Sequence, residues 1–368
     1  MPYTRLAAIL AVFLLLAGEA SLAAQPAVGS ALTKCSSRIL ASPAALDVLA
    51  SDGNLIYVGT IDGTLTAFYP ETLEMGWRVE LGGQFASNVL VSDAGLLVVT
   101  NSIKPAGSIE TSTLRLISQG SGVTTWTLSL PPSEQFFLGK VNGGVAVISK
   151  EGAITFAERA SGQVRWRSEA FGNVSAKPSF SSESIVFGTS DKQLLVISGK
   201  DGEPITKYST DFVPTSVAFT KNQGFVAGDQ RGNVALYGPR ETKSVWRFKS
   251  GAGVSSVDSD TEGITVSSLD NFIYFISDYN GDVIWKRRLS GRVVDAGLAI
   301  EQQLVVLVNG ENSLFLIDRQ KGKITDSVPA VDSDLVSRVA VFVRERTFVI
   351  ATINSVQTYS LGSCPGKQ

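Results

Sequence analysis

The chain has 368 residues, 32 Lys and Arg against 34 Asp and Glu, a net charge of −2 and no histidine. That balance gives no strong overall electrostatic footprint for nucleic acid or an anionic membrane. The missing histidine removes the commonest general base, metal ligand and triad member.

From the N-terminus, Arg5 supplies a positive start and Leu6 to Ala17 an apolar core of twelve residues. Ser21-Leu22-Ala23 places small residues at the −3 and −1 positions of a cleavage site, so residues 1–23 read as a secretory signal. The apolar core is too short to span a bilayer, and no transmembrane anchor is expected. A lipid-anchor signal needs Cys directly after the small residues, yet Glu19 follows Leu16-Ala17-Gly18. The expected product is extracytoplasmic, most simply periplasmic, and not lipid-anchored. Residues 24–34 read as a short lead, 35–364 as one domain and 365–368 as a tail.

Past the signal, the chain repeats. Its five tryptophans, Trp77, Trp126, Trp166, Trp246 and Trp285, are spaced 49, 40, 80 and 39 residues apart. A beat of about 40 residues marks a repeat array. Each Trp follows an apolar run, a polar turn and a second apolar run, as in Leu55 to Gly59, Asp62-Gly63 and Leu65 to Phe68. The turn recurs at Gly63, Gly152, Lys192, Gly232, Asn271 and Asn312, where Gly and Asn tolerate positive φ. The runs are short and rich in β-branched and aromatic residues, which predicts an all-β chain.

Gly162 and Gly281 each precede a Trp by four residues, and Gly202 and Gly322 stand likewise before Thr206 and Asp326. Filling those silent beats gives seven outer-strand positions. Three further strands follow, Arg338 to Val343, Thr347 to Thr352 and Val356 to Leu361, while Ser36 to Ala41 is left over at the start. Four-stranded units of this length are propeller blades, and radial closure removes long sheet edges. The economical solution is an eight-bladed β-propeller whose last blade takes an N-terminal strand; the alternative is seven blades with a loose N-terminus. The two cysteines, Cys35 and Cys364, would meet at one end of that closing pair, either as a disulfide or as two free thiols.

Few motifs carry chemistry. Asp258 to Gly263 matches the start of an EF-hand loop, but its twelfth position is Leu269, and a polar turn is the simpler reading. One Trp per blade at one phase is a packing pattern, so Trp77, Trp126, Trp166, Trp246 and Trp285 are expected to be structural. Two connections are candidate interaction elements. The first 49-residue interval places an insertion near Asn101 to Ser112, with Lys104 and Pro105 at its tip. The stretch Leu130 to Phe137 holds Pro131, Pro132 and Phe136, which either form an apolar patch or enter the core.

Val58 to Ala67, with the Gly162-to-Trp166 and Gly281-to-Trp285 pattern, resembles the PQQ-type propeller repeat. Within that superfamily the length and eightfold organisation are similar to the BamB family of outer-membrane protein assembly lipoproteins. The resemblance implies a protein-protein interaction scaffold that is not an enzyme, without cofactor or metal, acting as a monomer on an envelope partner. The absent lipid-anchor signal departs from that family. The quinoprotein enzymes of the superfamily use adjacent cysteines or a histidine base, and this chain has neither arrangement. The remaining readings are a generic extracytoplasmic adaptor and a quinone- or small-molecule-binding propeller.

Overall fold

The structure, a computed structural model, describes residues 32–365 apart from 223, 239–242, 310–312, 330–335 and 345. The expected signal and most of the lead therefore lie outside the described residues. Among the described residues every regular element is a β-strand, so none is a helix long and apolar enough to cross a membrane.

The strands assemble in chain order into eight four-stranded antiparallel blades. Blade 1 spans 44–80, blade 2 84–130, blade 3 136–167 and blade 4 174–209. Blade 5 spans 214–249, blade 6 254–288 and blade 7 292–329, and blade 8 combines 336–361 with Leu32–Ile39. Six blades are separate sheets, while blades 4 and 5 share one through a single parallel bridge, Lys177 to Ser216. The inner strand of blade 2 is broken into Gln84–Phe85 and Leu90–Ser92.

The eighth blade closes the ring. Leu32–Ile39 pairs antiparallel with Ser355–Leu361, from Leu32 opposite Leu361 to Ile39 opposite Ser355. The sequence places Cys35 at the opening of this strand, but the strand begins three residues earlier at Leu32, so Cys35 lies inside it. There the register shifts between Lys34 and Ser36, and Cys35 is bonded to Cys364 across a separation of 329 residues.

The core is a set of seams between blades, because alternating side chains of each sheet face opposite neighbours. One seam joins Val48, Tyr57 and Leu65 of blade 1 to Leu96, Val98 and Ile117 of blade 2. Another joins Val58 and Phe68 of blade 1 to Val349 and Val356 of blade 8.

At the rim the tryptophans set the geometry. Each lies on the outer strand of its blade, against the turn between the third and outer strands of the next. The rings of Trp77, Trp126, Trp166, Trp246 and Trp285 cover Gly122, Gly162, Gly202, Gly281 and Gly322, where a Cβ would come within 2.5–2.8 Å of the indole. All five glycines also have positive φ, so both backbone and neighbour demand the missing side chain. Four indole N–H groups donate to carbonyls in the same turns: Trp77 to Gln119 at 2.7 Å, Trp126 to Arg159 at 3.1 Å, Trp246 to Asp278 at 3.1 Å and Trp285 to Arg319 at 2.5 Å.

The beats without Trp use other links. Tyr208 donates to the Gly238 carbonyl at 3.1 Å. Asp326 accepts the Leu32 N–H at 2.5 Å. In the closing strand, Ser36 and Arg38 donate to the carbonyls of Glu71 and Leu73. Leu73 fills the glycine position of blade 1 at φ 56°, and no indole presses on it.

A β-bulge recurs beside this site. Between third and outer strands the register shifts in every blade, leaving Gly76, Thr125, Arg165, Ile205, Val245, Ile284, Thr325 and Cys35 unopposed. The unopposed residue immediately precedes the Trp position, and in blade 8 that residue is the disulfide cysteine.

Trp246→Ala is expected to cost about 3–5 kcal/mol in urea unfolding. Gly281→Ala should cost more than the roughly 1–2 kcal/mol of a left-handed alanine alone. In a double-mutant cycle Gly281→Ala should be less harmful on the Trp246→Ala background; strict additivity would contradict the seam. Reduction of the disulfide should lower the melting temperature, with about 5–6 kcal/mol as the chain-entropy ceiling for so long a loop.

Candidate functional site

Two sets of connections share one face of the ring, here the upper face: the turns between second and third strands and the links from blade to blade. Backbone hydrogen bonds tie them together, as Leu81 N–H to Gly63, Val174 N–H to Lys150 and Ser250 N–H to Gly232. Gly63, Gly152, Lys192, Gly232 and Asn271 all have positive φ there; Asn312 lies outside the described residues.

The blade 2 insertion is a strand-paired hairpin. Gly95–Ile103 and Ile109–Ile117 stay in register as far as Ser102 opposite Thr111, and a bulge at Glu110 then sets Ile103 opposite Ile109. A tight turn closes the tip, with Lys104 N–H donating to Ser108 and Gly107 N–H to Lys104. Lys104 and Pro105 are exposed, whereas Asn101 and Ser112 are buried. Asn101 Nδ2 donates to the Ser133 carbonyl at 2.8 Å, the Ser112 hydroxyl to Asn101 Oδ1 at 2.7 Å and Ser133 N–H to the Ser112 hydroxyl at 3.3 Å. This buried triangle joins the hairpin base to the connection holding Pro131 and Pro132. The structure thus brings the two candidate elements side by side, and both prolines are exposed.

Phe136 is the exception. It is 3% exposed and packs with Ala86, Leu97, Leu138 and Val147 in the seam of blades 2 and 3. Its N–H donates to the Ala86 carbonyl at 2.7 Å. It opens the inner strand of blade 3, so its side chain is drawn into the core and presents no surface patch.

Beside the hairpin, the channel mouth holds a cleft of about 580 Å³ walled by Leu46, Ile61, Phe85 and Phe137, with Asp47, Glu134, Lys150 and Lys177 on its rim. A second, open depression of about 360 Å³ shares Ile61 and Gln84 and runs to Ile103. Leu46, Ile61 and Ile103 are 71%, 55% and 40% exposed, giving an aliphatic strip from mouth to hairpin. The Lys150 ammonium lies 2.6 Å from Glu134, which holds its proton more tightly. Burial alone would raise the Glu151 carboxyl, but hydrogen bonds from Ser133 and Ser149 outweigh it and keep the group below the usual range. The Thr60 hydroxyl, 2.6 Å away, does the same for Asp62. These carboxylates stay ionised at neutral pH and anchor turns.

Sequence reasoning missed Leu46, Ile61 and Lys177. Ile61 left a signal, an aliphatic residue inside the turn Thr60-Ile61-Asp62-Gly63. Leu46 left none, because its exposure follows from Asp47, which adopts φ 60° and offsets the register of the strand.

The EF-hand-like string forms the turn between the first two strands of blade 6. Asp260 accepts the Glu262 N–H at 2.8 Å, and both carboxylates pair with Arg319. Among the described residues no group of three or more Asp, Glu or Cys is placed to hold a metal ion. The five indoles are committed to the outer seams, so none of them faces the channel as a stacking surface.

Asn101→Ala should cost about 1–3 kcal/mol in urea unfolding, because it orphans buried partners. Lys104→Ala at the exposed tip should stay within about 0.5 kcal/mol.

The comparisons agree with this architecture. The profile of the family described as outer membrane protein assembly factor BamB matches residues 23–139, 110–210 and 230–359. No curated protein sequence matches the chain. Among solved structures, BamB from Moraxella catarrhalis is similar at a TM-score of 0.65 and 15% identity, over 89% of this chain and 97% of that one. The computationally designed Ika8 protein gives 0.74 at 14% identity, over 88% and 98%. The C-terminal WD40 domain of Sif2 gives 0.72 at 12% identity, over 90% and 99%. At these identities the likeness to solved structures speaks for the propeller fold alone, whereas the profile match runs along most of the chain: it belongs to the family of outer membrane protein assembly factor BamB, built from PQQ-type propeller repeats.

Proposed function

We propose that this protein is a non-catalytic, monomeric scaffold of the cell envelope that serves outer-membrane β-barrel assembly and docks its protein partner on the upper face. The observation that carries the reading is the blade 2 hairpin: the one insertion that breaks the 40-residue beat is rigidly built, tied to the Pro131-Pro132 connection and set beside an exposed aliphatic strip. Family membership supports the pathway, and the disulfide supports an oxidising compartment. The strip of Leu46, Ile61 and Ile103 offers an apolar centre with a polar rim, the usual anatomy of a protein interface.

A photo-reactive residue at position 104, compared in cells with one at Val123 in a turn on the opposite face, tests the proposal. Position 104 should capture an outer-membrane assembly component and position 123 should not. Capture only from 123, or adducts at 104 that belong to another envelope complex, would overturn it.

A further inference from the structure

The rim of the ring carries a pattern that the upper-face reading does not use. The two residues flanking each Trp position are the bulge residue before it and the strand residue after it. In blades 4, 5 and 6 these are Ile205 and Lys207, Val245 and Arg247, and Ile284 and Lys286. Ile205, Val245 and Ile284 are 50–56% exposed, and the three cations are exposed beside them. The other blades lack the combination: the pairs there are Gly76 and Arg78, Thr125 and Thr127, Arg165 and Arg167, Thr325 and Ser327, and Cys35 and Ser37.

Charge is segregated in the same place. The outer strands Pro204–Ser209, Ser244–Lys249 and Val283–Arg288 carry Lys207, Arg247, Lys249, Lys286, Arg287 and Arg288 and no carboxylate, although the whole chain is balanced at −2. Lys207, Arg247, Lys249, Lys286 and Arg288 form no ion pair among the described residues. Tyr279 and Val283, both exposed, extend the apolar part on blade 6.

Edge protection does not account for this belt. A charge on an edge strand keeps two molecules from pairing, and so does a bulge. All eight outer strands already have the bulge, yet only three consecutive blades add an aliphatic residue and a cation. An aliphatic residue at an exposed edge works against solubility, which singles out a surface with a partner. Exposed aliphatics at one strand position, flanked by cations on three adjacent blades, fit an interface whose headgroups are anionic and whose interior is hydrocarbon.

We propose that the rim of blades 4–6 is a membrane-docking surface that binds anionic phospholipid bilayers, with Ile205, Val245 and Ile284 at the acyl boundary and Lys207, Arg247 and Lys286 among the headgroups. It is separate from the upper face, so scaffold and membrane contacts coexist on one ring.

Sedimentation with vesicles of phosphatidylcholine alone, or with added phosphatidylglycerol, tests this on the purified protein. Binding should appear only with phosphatidylglycerol and weaken as salt rises. Each of Lys207→Gln, Arg247→Gln and Lys286→Gln should lower the partition coefficient about fivefold, and together about a hundredfold. The combined Ile205→Ser, Val245→Ser and Ile284→Ser variant should bind weakly while keeping its charge. Equal binding to both vesicle types, no binding by the unaltered protein, or variants that self-associate yet still bind vesicles would overturn the proposal. The salt and lipid dependence of the unaltered protein decides the matter even if a variant misfolds. An acidic protein captured through these cations in the absence of lipid binding would also overturn it.

Discussion

The indole of one blade resting on a bare glycine of the next is the contact on which the ring depends. It combines a large apolar surface, a hydrogen bond to a turn carbonyl and a backbone conformation that excludes a side chain. The exceptions show the direction of cause. Blade 8 sends no indole toward blade 1, and there the left-handed position is held by Leu73, buried at φ 56°. Glycine is therefore required where a ring presses on it, whereas the turn alone accepts another residue at a cost. Tyr208, which donates to the Gly238 carbonyl and packs its ring on Phe225 and Tyr237, and Asp326, which accepts the Leu32 N–H, show that other contacts across the seam can keep the spacing when the indole is missing.

Much of this was legible in the amino-acid sequence. The tryptophan interval, the silent beats at Thr206 and Asp326 and the strands left at both ends count out the blades, because each blade repeats the same contact. The pairing of Cys35 with Cys364 was legible as one of two readings, and the closing strand decides between them. Within the beat, however, sequence shows Gly162 and Trp166 as neighbours. In space Gly162 serves Trp126 and Trp166 serves Gly202, a relation between blades that spacing inside one repeat cannot reveal. Phe136 illustrates the other limit. A phenylalanine after two prolines is equally compatible with an exposed patch and a strand start, and only the Ala86 carbonyl that receives its N–H settles the matter. The triangle of Asn101, Ser112 and Ser133 was hidden because three common polar residues acquire meaning only when burial brings them together.

Repetition makes most of the surface interchangeable, so function is sought where the repeat is broken. Two breaks stand out, and they lie on different surfaces. Blade 2 lengthens a hairpin on the upper face and ties it down with buried hydrogen bonds. Blades 4–6 keep the backbone of every other blade and alter only the two side chains beside the Trp position. The first break changes shape and the second changes chemistry. A net charge of −2 conceals the second, since a sum over the chain cannot report that cations are collected on three strands.

The closing strand also sets an order in time. Among the strands of the ring, the outermost strand of blade 8 comes first along the chain and its neighbour Ser355–Leu361 comes last. Blades 1 to 7 each form from contiguous sequence, but the seam between blades 8 and 1 has no partner until the last three strands of the ring are in place. A ring lacking blade 8 is thus an open arc whose first wall, with Val58 and Phe68 among its members, stays exposed until the last strands dock. Such a species is prone to wrong association, and it persists until the C-terminal strands arrive. Bonding of Cys35 to Cys364 then works as a completion mark, because a chain that lacks its last strands has nothing to join.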